Sequence, residues 1–229
     1  MSIAGKILSL KAELPDGVEL VAVSKTCPTA DIMEAYGAGQ RVFGESRVQE
    51  MTAKYEELPR DIQWQMIGHL QTNKVKYIAP FVSLIQSVDS EKLLDVINGE
   101  ALKNKRIIDV LLEVYIAHEY TKYGWDEYEL IDYMLSGRYQ ELRGIRFRGL
   151  MGIATNTEDM DQVREEFLHL HRLYDRLKCD FFDDGFDTLS MGMTGDYKLA
   201  IECGSNMVRI GSYIFGERNY IDLPQAAGN

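Results

Sequence analysis

The feature that most restricts the fold of this chain is an alternation between short apolar runs and longer amphipathic segments. Eight apolar runs suit strands, and several are apolar almost throughout, as is typical of parallel strands buried on both faces. The predicted strands are 18–24, 41–45, 62–68, 83–88, 108–116, 147–154, 186–192 and 207–211. Eight strands separated by helices in 229 residues predict an α/β fold, a (β/α)8 barrel. An open doubly wound sheet is the main alternative, although no G-x-G-x-x-G motif follows the first strand to favour its dinucleotide-binding form.

Helices are predicted between the strands. The predicted ranges are 46–58, 72–79, 90–103, 126–137, 158–178 and 194–203. Thr29 and Thr194 are predicted N-caps because a threonine hydroxyl can accept a hydrogen bond from a first-turn N–H group. Apolar residues at helical spacing predict an extra helix before the first strand, and these are Ile3, Ile7, Leu10 and Leu14. No linker marks a boundary, so residues 1–229 are expected to form a single domain.

Composition restricts the class of partner. A net charge of −11 argues against nucleic acid or an anionic membrane surface as the main partner. The three cysteines are scattered and show no metal-ligand spacing, which fits a reducing cytosol and predicts no metal site. No apolar run approaches the roughly 20 residues needed to span a bilayer. We therefore expect a soluble cytoplasmic protein.

A lysine ends the first predicted strand, in the run VELVAVSK that closes at Lys25. In a (β/α)8 barrel, functional groups lie at the carboxyl ends of the strands. One interpretation is an ordinary solvent-exposed lysine at a strand end. The other is a partly desolvated amine with a lowered pKa, able to form a Schiff base with an aldehyde. Position alone does not decide between them.

The last two predicted strands are followed by glycine and serine. Ser190 and Gly192 end the seventh strand, while Gly211 and Ser212 lie where the eighth gives way to a short helix. Barrels often hold phosphate in these loops, because glycine lets an anion approach backbone N–H groups and a helix N-terminus adds a favourable dipole. Simple turns are the alternative explanation.

Arg209 lies within the apolar run of the eighth strand. A charged guanidinium there needs a partner, either in a structural ion pair or in a ligand at the barrel mouth. A reactive lysine, a phosphate cradle and a buried arginine together match the aldehyde, phosphate and pyridine nitrogen of pyridoxal 5′-phosphate.

Several segments, in order along the chain, carry a family resemblance. They are AVSK (22–25), FGESRVQE (43–50), WQMIGHLQTNKVK (64–76), IQSVDS (85–90), GLMGIA (149–154), LSMGMTGDYKLAI (189–201) and GSNMVRIGSYIFGERNY (204–220). Together these resemble the pyridoxal-phosphate homeostasis protein family, the single-domain relatives of the alanine racemase barrel. The resemblance covers nearly the whole chain and implies a barrel of the fold-type III class of pyridoxal-phosphate proteins.

The resemblance also implies roles for particular residues. Lys25 would hold the cofactor as an internal aldimine. The implied phosphate site comprises Ser190, Gly211 and Ser212, with Gly192 beside it. Arg209 would face the pyridine nitrogen and leave it unprotonated, which makes the ring a poorer electron sink. Asn73 matches a polar position near the cofactor, and capping of the following helix is its alternative role.

Five positions depart from the family pattern, one of which is Met66 in place of a phenylalanine. Ser46 and Arg47 stand where the family has Asn and Tyr, Gln65 replaces a histidine, and Tyr115 replaces an asparagine. These departures concern expected contacts to the face of the ring.

Two functions remain open from the sequence. The first is a non-catalytic protein that stores, buffers or delivers pyridoxal phosphate, with enzymes lacking the cofactor as recipients. The second is an amino-acid racemase, which needs an acid or base on each face of the substrate Cα. In the related racemases the opposite base is a tyrosine from a second domain of a partner subunit. This chain ends nine residues after FGERNY, which favours a carrier and a monomer and leaves Tyr115 as the candidate second base. A barrel that binds another phosphorylated metabolite is a third interpretation.

Overall fold

The computed structural model describes residues 1–117 and 123–216, where eight parallel strands close into a barrel in the order β1 to β8. The strands are β1 Glu19–Val23, β2 Val42–Glu45, β3 Gln63–Met66, β4 Leu84–Val88, β5 Ile108–Val114, β6 Ile145–Gly152, β7 Thr188–Ser190 and β8 Met207–Ile210. The barrel closes because β1 pairs with both β2 and β8. The predicted barrel is therefore confirmed, and the open sheet is excluded.

The helices form the outer layer. They are α1 Ile3–Glu13, α2 Thr29–Gly37, α3 Val48–Glu57, α4 Val75–Ile78, α5 Glu91–Lys103, α6 Glu127–Leu135, α7 Met160–Phe181, α8 Tyr197–Glu202 and α9 Ser212–Phe215. Short 3-10 helices span Thr72–Lys74 and Arg138–Glu141. The predicted extra helix is α1, which buries Ile7 and Leu10. None of the helices within the described residues is long and apolar enough to cross a membrane.

Both predicted threonine caps are wrong. Pro28 is the N-cap of α2, with extended geometry (φ −66°, ψ 154°), and Thr29 is already helical. The Thr29 hydroxyl instead donates to Glu57 Oε1 at 2.7 Å. The other helix, α8, begins at Tyr197 with Asp196 as its N-cap, so Thr194 lies in the turn before it.

Two apolar clusters fill the molecule, one on each face of the barrel wall. The larger lies between the strands and the helices and contains Phe43, Trp64 and Phe167. The smaller lies inside the barrel and consists of Val21, Val42, Leu84, Leu111, Met151 and Met207. Because side chains alternate along a strand, residues two positions beyond the inner cluster also face the barrel interior, nearer the carboxyl ends of the strands. On β4, β5 and β8 those positions are polar, and they contribute Gln86, Glu113 and Arg209 to the candidate site.

Candidate functional site

Lys25 lies in a tight turn directly after β1, at the carboxyl end of the barrel, where the sequence places it. Its side chain is half-buried. The Cys27 N–H group donates to the Ser24 carbonyl oxygen at 3.0 Å and closes the turn. Thr26 has a φ of 64°, a left-handed conformation that costs a residue with a Cβ about 1–2 kcal/mol. The lysine is thus carried by a short and strained segment.

Behind this turn, on the outer face of the barrel wall, is a buried network of charged side chains. Glu45, at the end of β2, is fully buried and accepts a hydrogen bond from the Ser24 hydroxyl at 2.5 Å. Lys54, on α3, donates to Glu45 Oε1 at 2.8 Å and to Glu50 Oε1 at 2.6 Å. Burial raises the pKa of Glu45 to about 7, although the Lys54 charge opposes this shift. The sequence analysis missed this network.

Arg209 lies inside the barrel, where β8 pairs Arg209 with Val21 of β1. The guanidinium donates to the Ser190 hydroxyl oxygen at 2.6 Å and to the Gly152 carbonyl oxygen at 2.9 Å. Among the described residues, no carboxylate forms an ion pair with Arg209, so the structural ion pair that the sequence left open is not seen there. Burial lowers the pKa of Arg209 to about 10, which keeps the guanidinium charged at neutral pH.

A chain of hydrogen bonds continues from Arg209 across the barrel interior. The Ser190 hydroxyl donates to Gln86 Oε1 at 2.7 Å, and Gln86 Nε2 donates to Gln65 Oε1 at 2.5 Å. All three side chains are buried. The departure at Gln65 therefore places an amide within the barrel, where it accepts from Gln86. The Ser190 hydroxyl has a single proton, and it donates that proton in the hydrogen bond to Gln86. In this arrangement Ser190 would have to rotate its hydroxyl to donate to a phosphate, which is its predicted role.

Glu113 is a second buried titratable group on the inner face, and it was not predicted from the sequence either. It is 6% exposed, and among the described residues its Oε2 atom has no hydrogen-bond partner. Burial raises its pKa to about 8, and the Arg209 charge opposes this shift. At neutral pH the folded protein therefore holds Glu113 largely as a neutral acid. A glutamate within the apolar run of β5 was the available signal.

Gly211 and Ser212 lie beside the Lys25 turn. Since Ala22 pairs with Ile210, Gly211 is level with Val23, and a Cβ at Gly211 would lie 3.1 Å from the Val23 carbonyl oxygen. Gly211 is the N-cap of α9 and Ser212 its first residue. The first N–H groups of a helix have no acceptor within the helix, so those at the start of α9 need an acceptor from outside it.

Gly192 is explained by packing. Its φ is +96°, and a Cβ there would lie 2.6 Å from the Ala200 Cβ atom in α8. Its carbonyl oxygen accepts the Arg209 N–H group at 3.0 Å. Gly192 thus lets α8 approach β7 closely while it holds the backbone of Arg209.

Asn73 is on the surface, within the first 3-10 helix. No side chain caps α4, so the alternative role of Asn73 as a helix cap is wrong. It lines a pocket of about 390 Å³ together with His69 and Asp89, whose Nδ1 and Oδ2 atoms are 2.9 Å apart. Lys25 and Arg209 do not line that pocket.

Tyr115 follows β5 directly, so it lies at the carboxyl end of the fifth strand as the sequence predicts, and it is half-buried.

Residues 2–219 match the family described as alanine racemase, N-terminal domain. The chain belongs to this family. It is also 41% identical over 214 residues to the pyridoxal phosphate homeostasis protein of Pasteurella multocida, an alignment that covers 92% of this chain and 91% of that protein. The resemblance carried by the motifs is thereby confirmed, although positions 217–220 of the last motif lie outside the described residues.

Solved structures show the same architecture. PipY of Synechococcus elongatus, solved with PLP bound, is 35% identical and covers 94% of this chain and 100% of its own, with a TM-score of 0.86. Alanine racemase from E. faecalis is 13% identical and has a TM-score of 0.71, over 94% of this chain and 58% of the racemase. At that identity the racemase supports the fold alone.

Proposed function

We propose that this protein binds pyridoxal 5′-phosphate at the mouth of its barrel and serves in the intracellular storage, buffering or delivery of that cofactor. The observation that carries the proposal is the convergence of three groups on two paired strands. Lys25 lies in the turn after β1, a helix N-terminus follows β8, and a buried guanidinium lies on β8 between the apolar interior and the mouth. The names of the Pasteurella multocida relative and of PipY support the choice of cofactor.

The residues present fit the cofactor's three functional groups. Bound pyridoxal phosphate supplies an aldehyde that bonds covalently to a primary amine with loss of water. Lys25 is the amine we assign to it. Gly211 and Ser212 offer the backbone N–H groups at the start of α9 to the phosphate, next to the Lys25 turn. Arg209 is the residue we assign to the ring nitrogen, since its guanidinium is held inside the barrel by Ser190 and Gly152 and its backbone N–H by the Gly192 carbonyl oxygen.

Two further residues receive different roles. We assign Ser190 to the orientation of Arg209, because its hydroxyl accepts from the guanidinium and donates to Gln86 Oε1. Its contact with the phosphate stays a prediction. Gly192 contributes its carbonyl oxygen to the same arginine. Asn73 stays a prediction as a cofactor contact.

A non-catalytic role is favoured over racemisation by the chemistry of Arg209. A guanidinium that stays charged donates to the ring nitrogen but does not protonate it, so the ring is a weak electron sink. Racemisation would also need Tyr115 or another residue as a second base opposite Lys25. We expect a monomer whose recipients are enzymes lacking their cofactor.

The test is spectroscopic. Purified protein incubated with pyridoxal phosphate should show a visible absorption band that borohydride removes, and peptide mass spectrometry should place the reduced adduct on Lys25. Lys25→Ala should lose the band, while the matched variant Lys76→Ala, at an exposed lysine, should keep it. A protein that stays colourless with added cofactor would refute the binding function. Turnover of any amino acid at about 1 s⁻¹ or more would refute the non-catalytic role.

A further inference from the structure

The turn that carries Lys25 is held on both sides by the same helix. Lys54 Nζ donates to the Ser24 carbonyl oxygen at 2.7 Å, directly before Lys25. The Thr26 N–H group, directly after Lys25, donates to Glu50 Oε1 at 2.5 Å. Both contacts come from α3, one turn apart on its surface. The peptide groups on either side of the lysine are therefore fixed relative to one rigid element.

The backbone within this turn would not keep its shape without support. Thr26 adopts a left-handed conformation that a residue with a Cβ rarely holds. Such conformations persist where the surrounding structure determines them, and they cluster at functional sites. The Glu50 contact is made by the strained residue itself, which links the strain to α3.

Stability alone does not account for the charges in this network. Glu45 and Lys54 have side chains that are 0% and 6% exposed, and Glu45 Oε2 has no hydrogen-bond partner among the described residues. Desolvation of two charges commonly offsets their attraction, so a buried pair is often no more stable than apolar residues of the same volume. A directional contact to the turn explains charged groups here better than a contribution to folding does.

We propose that Glu45, Glu50 and Lys54 are positioning residues that fix the direction of the Lys25 side chain at the barrel mouth. This inference rests on the proposed function and names further residues of the same site. Without the three residues the amine remains present, but it points toward the mouth for only part of the time. Apparent affinity falls in proportion to the competent fraction, so a tenfold loss of that fraction raises Kd tenfold.

The experiment compares Lys54→Met with Arg106→Met. Arg106 is a matched control because its guanidinium also ties two backbone carbonyl oxygens, those of Ala79 and Val82, at 2.6 and 2.8 Å. These contacts lie before β4 and β5, at the opposite end of the barrel. Three quantities are measured: Kd for pyridoxal phosphate, hydrogen exchange of the Thr26 amide, and acylation of Lys25 by an amine-reactive reagent in the cofactor-free protein.

We expect Lys54→Met to raise Kd at least tenfold, to speed exchange of the Thr26 amide at least tenfold, and to change the acylation rate of Lys25. Arg106→Met should change each by less than twofold. Glu50→Ala, which keeps the Lys54–Glu45 contact, should speed exchange in the same way and serves if Lys54→Met does not fold. Unchanged Kd and unchanged exchange in a folded Lys54 or Glu50 variant would overturn the proposal.

The failure of the proposed function gives a different pattern. Wild-type protein would then take up no pyridoxal phosphate, while exchange at Thr26 and acylation at Lys25 would still respond to Lys54→Met. If Thr26 exchange and Lys25 acylation respond equally to Lys54→Met and to Arg106→Met, the positioning role is refuted, whatever the wild type binds.

Discussion

The barrel wall separates two clusters of buried charge that differ in how completely they are satisfied. On the outer face, Lys54 contacts two carboxylates and a carbonyl oxygen, so its charge is enclosed by protein. On the inner face, Arg209 has neutral oxygen acceptors and Glu113 has an oxygen atom without a partner among the described residues. The outer cluster is closed on itself, whereas the inner one retains polar capacity for a ligand. This difference supports the proposed roles, in which the outer cluster positions Lys25 and the inner cluster recognises the ligand.

Breaking the closed cluster should have the largest effect on folding. Glu45→Ala leaves Lys54 buried with one carboxylate fewer, and we expect a loss of about 3 kcal/mol in the free energy of unfolding. Urea unfolding followed by circular dichroism measures it. Glu100→Ala, which removes the partner of the exposed Lys103, should lose less than about 1 kcal/mol. Equal losses in the two variants would contradict the enclosed nature of the outer cluster.

Removing the charged group of the inner cluster should affect mainly the affinity for the ligand. Arg209→Leu removes charge-assisted hydrogen bonds worth about 1.5–3 kcal/mol each, so Kd for pyridoxal phosphate should rise about 100-fold. An absorbance titration measures this, with circular dichroism to verify folding. Arg146→Leu, at an exposed arginine that pairs with Asp109 near the amino-terminal end of β5, away from the barrel mouth, should leave Kd within twofold. An unchanged Kd in Arg209→Leu would show that the arginine does not contribute to cofactor binding.

The buried carboxyl group of Glu113 should make the stability of the protein depend on pH. The pKa of Glu113 is about 8 in the folded chain against an ordinary value of 4.5, so the folded state holds the proton more tightly. The stability that this contributes is complete below pH 4.5 and is lost as pH rises through 8. Glu113→Gln mimics the protonated form, so its stability relative to wild type should grow by about 1.4 kcal/mol per pH unit in that window. Urea midpoints at five pH values measure it, and a constant difference would contradict burial of the carboxyl.

The smallest expected effect separates two roles for Ser190. Ser190→Ala removes one acceptor of Arg209, and we expect Kd to rise about fivefold, equivalent to about 1 kcal/mol. If Ser190 acts through Arg209, the Kd values for pyridoxal and for pyridoxal phosphate should rise by the same factor. If it contacts the phosphate, the loss should be confined to the phosphorylated compound. Parallel titrations with the two ligands distinguish these outcomes.

Much of the fold follows from the pattern of apolar residues. The eight runs predicted the barrel, and the end of β1 placed Lys25 correctly at the mouth, because the alternation along a strand continues into the residue that follows it. The helix starts at Thr29 and Thr194 were misplaced. There, a preceding proline and a later aspartate supplied the N-cap geometry instead.

The polar contacts of the site were not predictable in the same way. Ser190 and Gln86 are 104 residues apart, and no local sequence pattern around either residue predicts their contact. The partnership of Glu45 and Lys54 depends on the angle at which α3 packs on the wall, which a periodic pattern does not specify. Sequence reasoning therefore found the residues at strand ends and missed those that support them from neighbouring elements.

The pairing of β1 with β8 has a consequence for the timing of assembly. Lys25 follows the first strand and Arg209 lies in the last, yet Val21 and Arg209 are direct neighbours across the ladder. During synthesis, the lysine leaves the ribosome long before the arginine, and neither half of the chain holds both. The proposed cofactor site, which takes one residue from each end of the strand order, is therefore complete only after the ring of strands has closed.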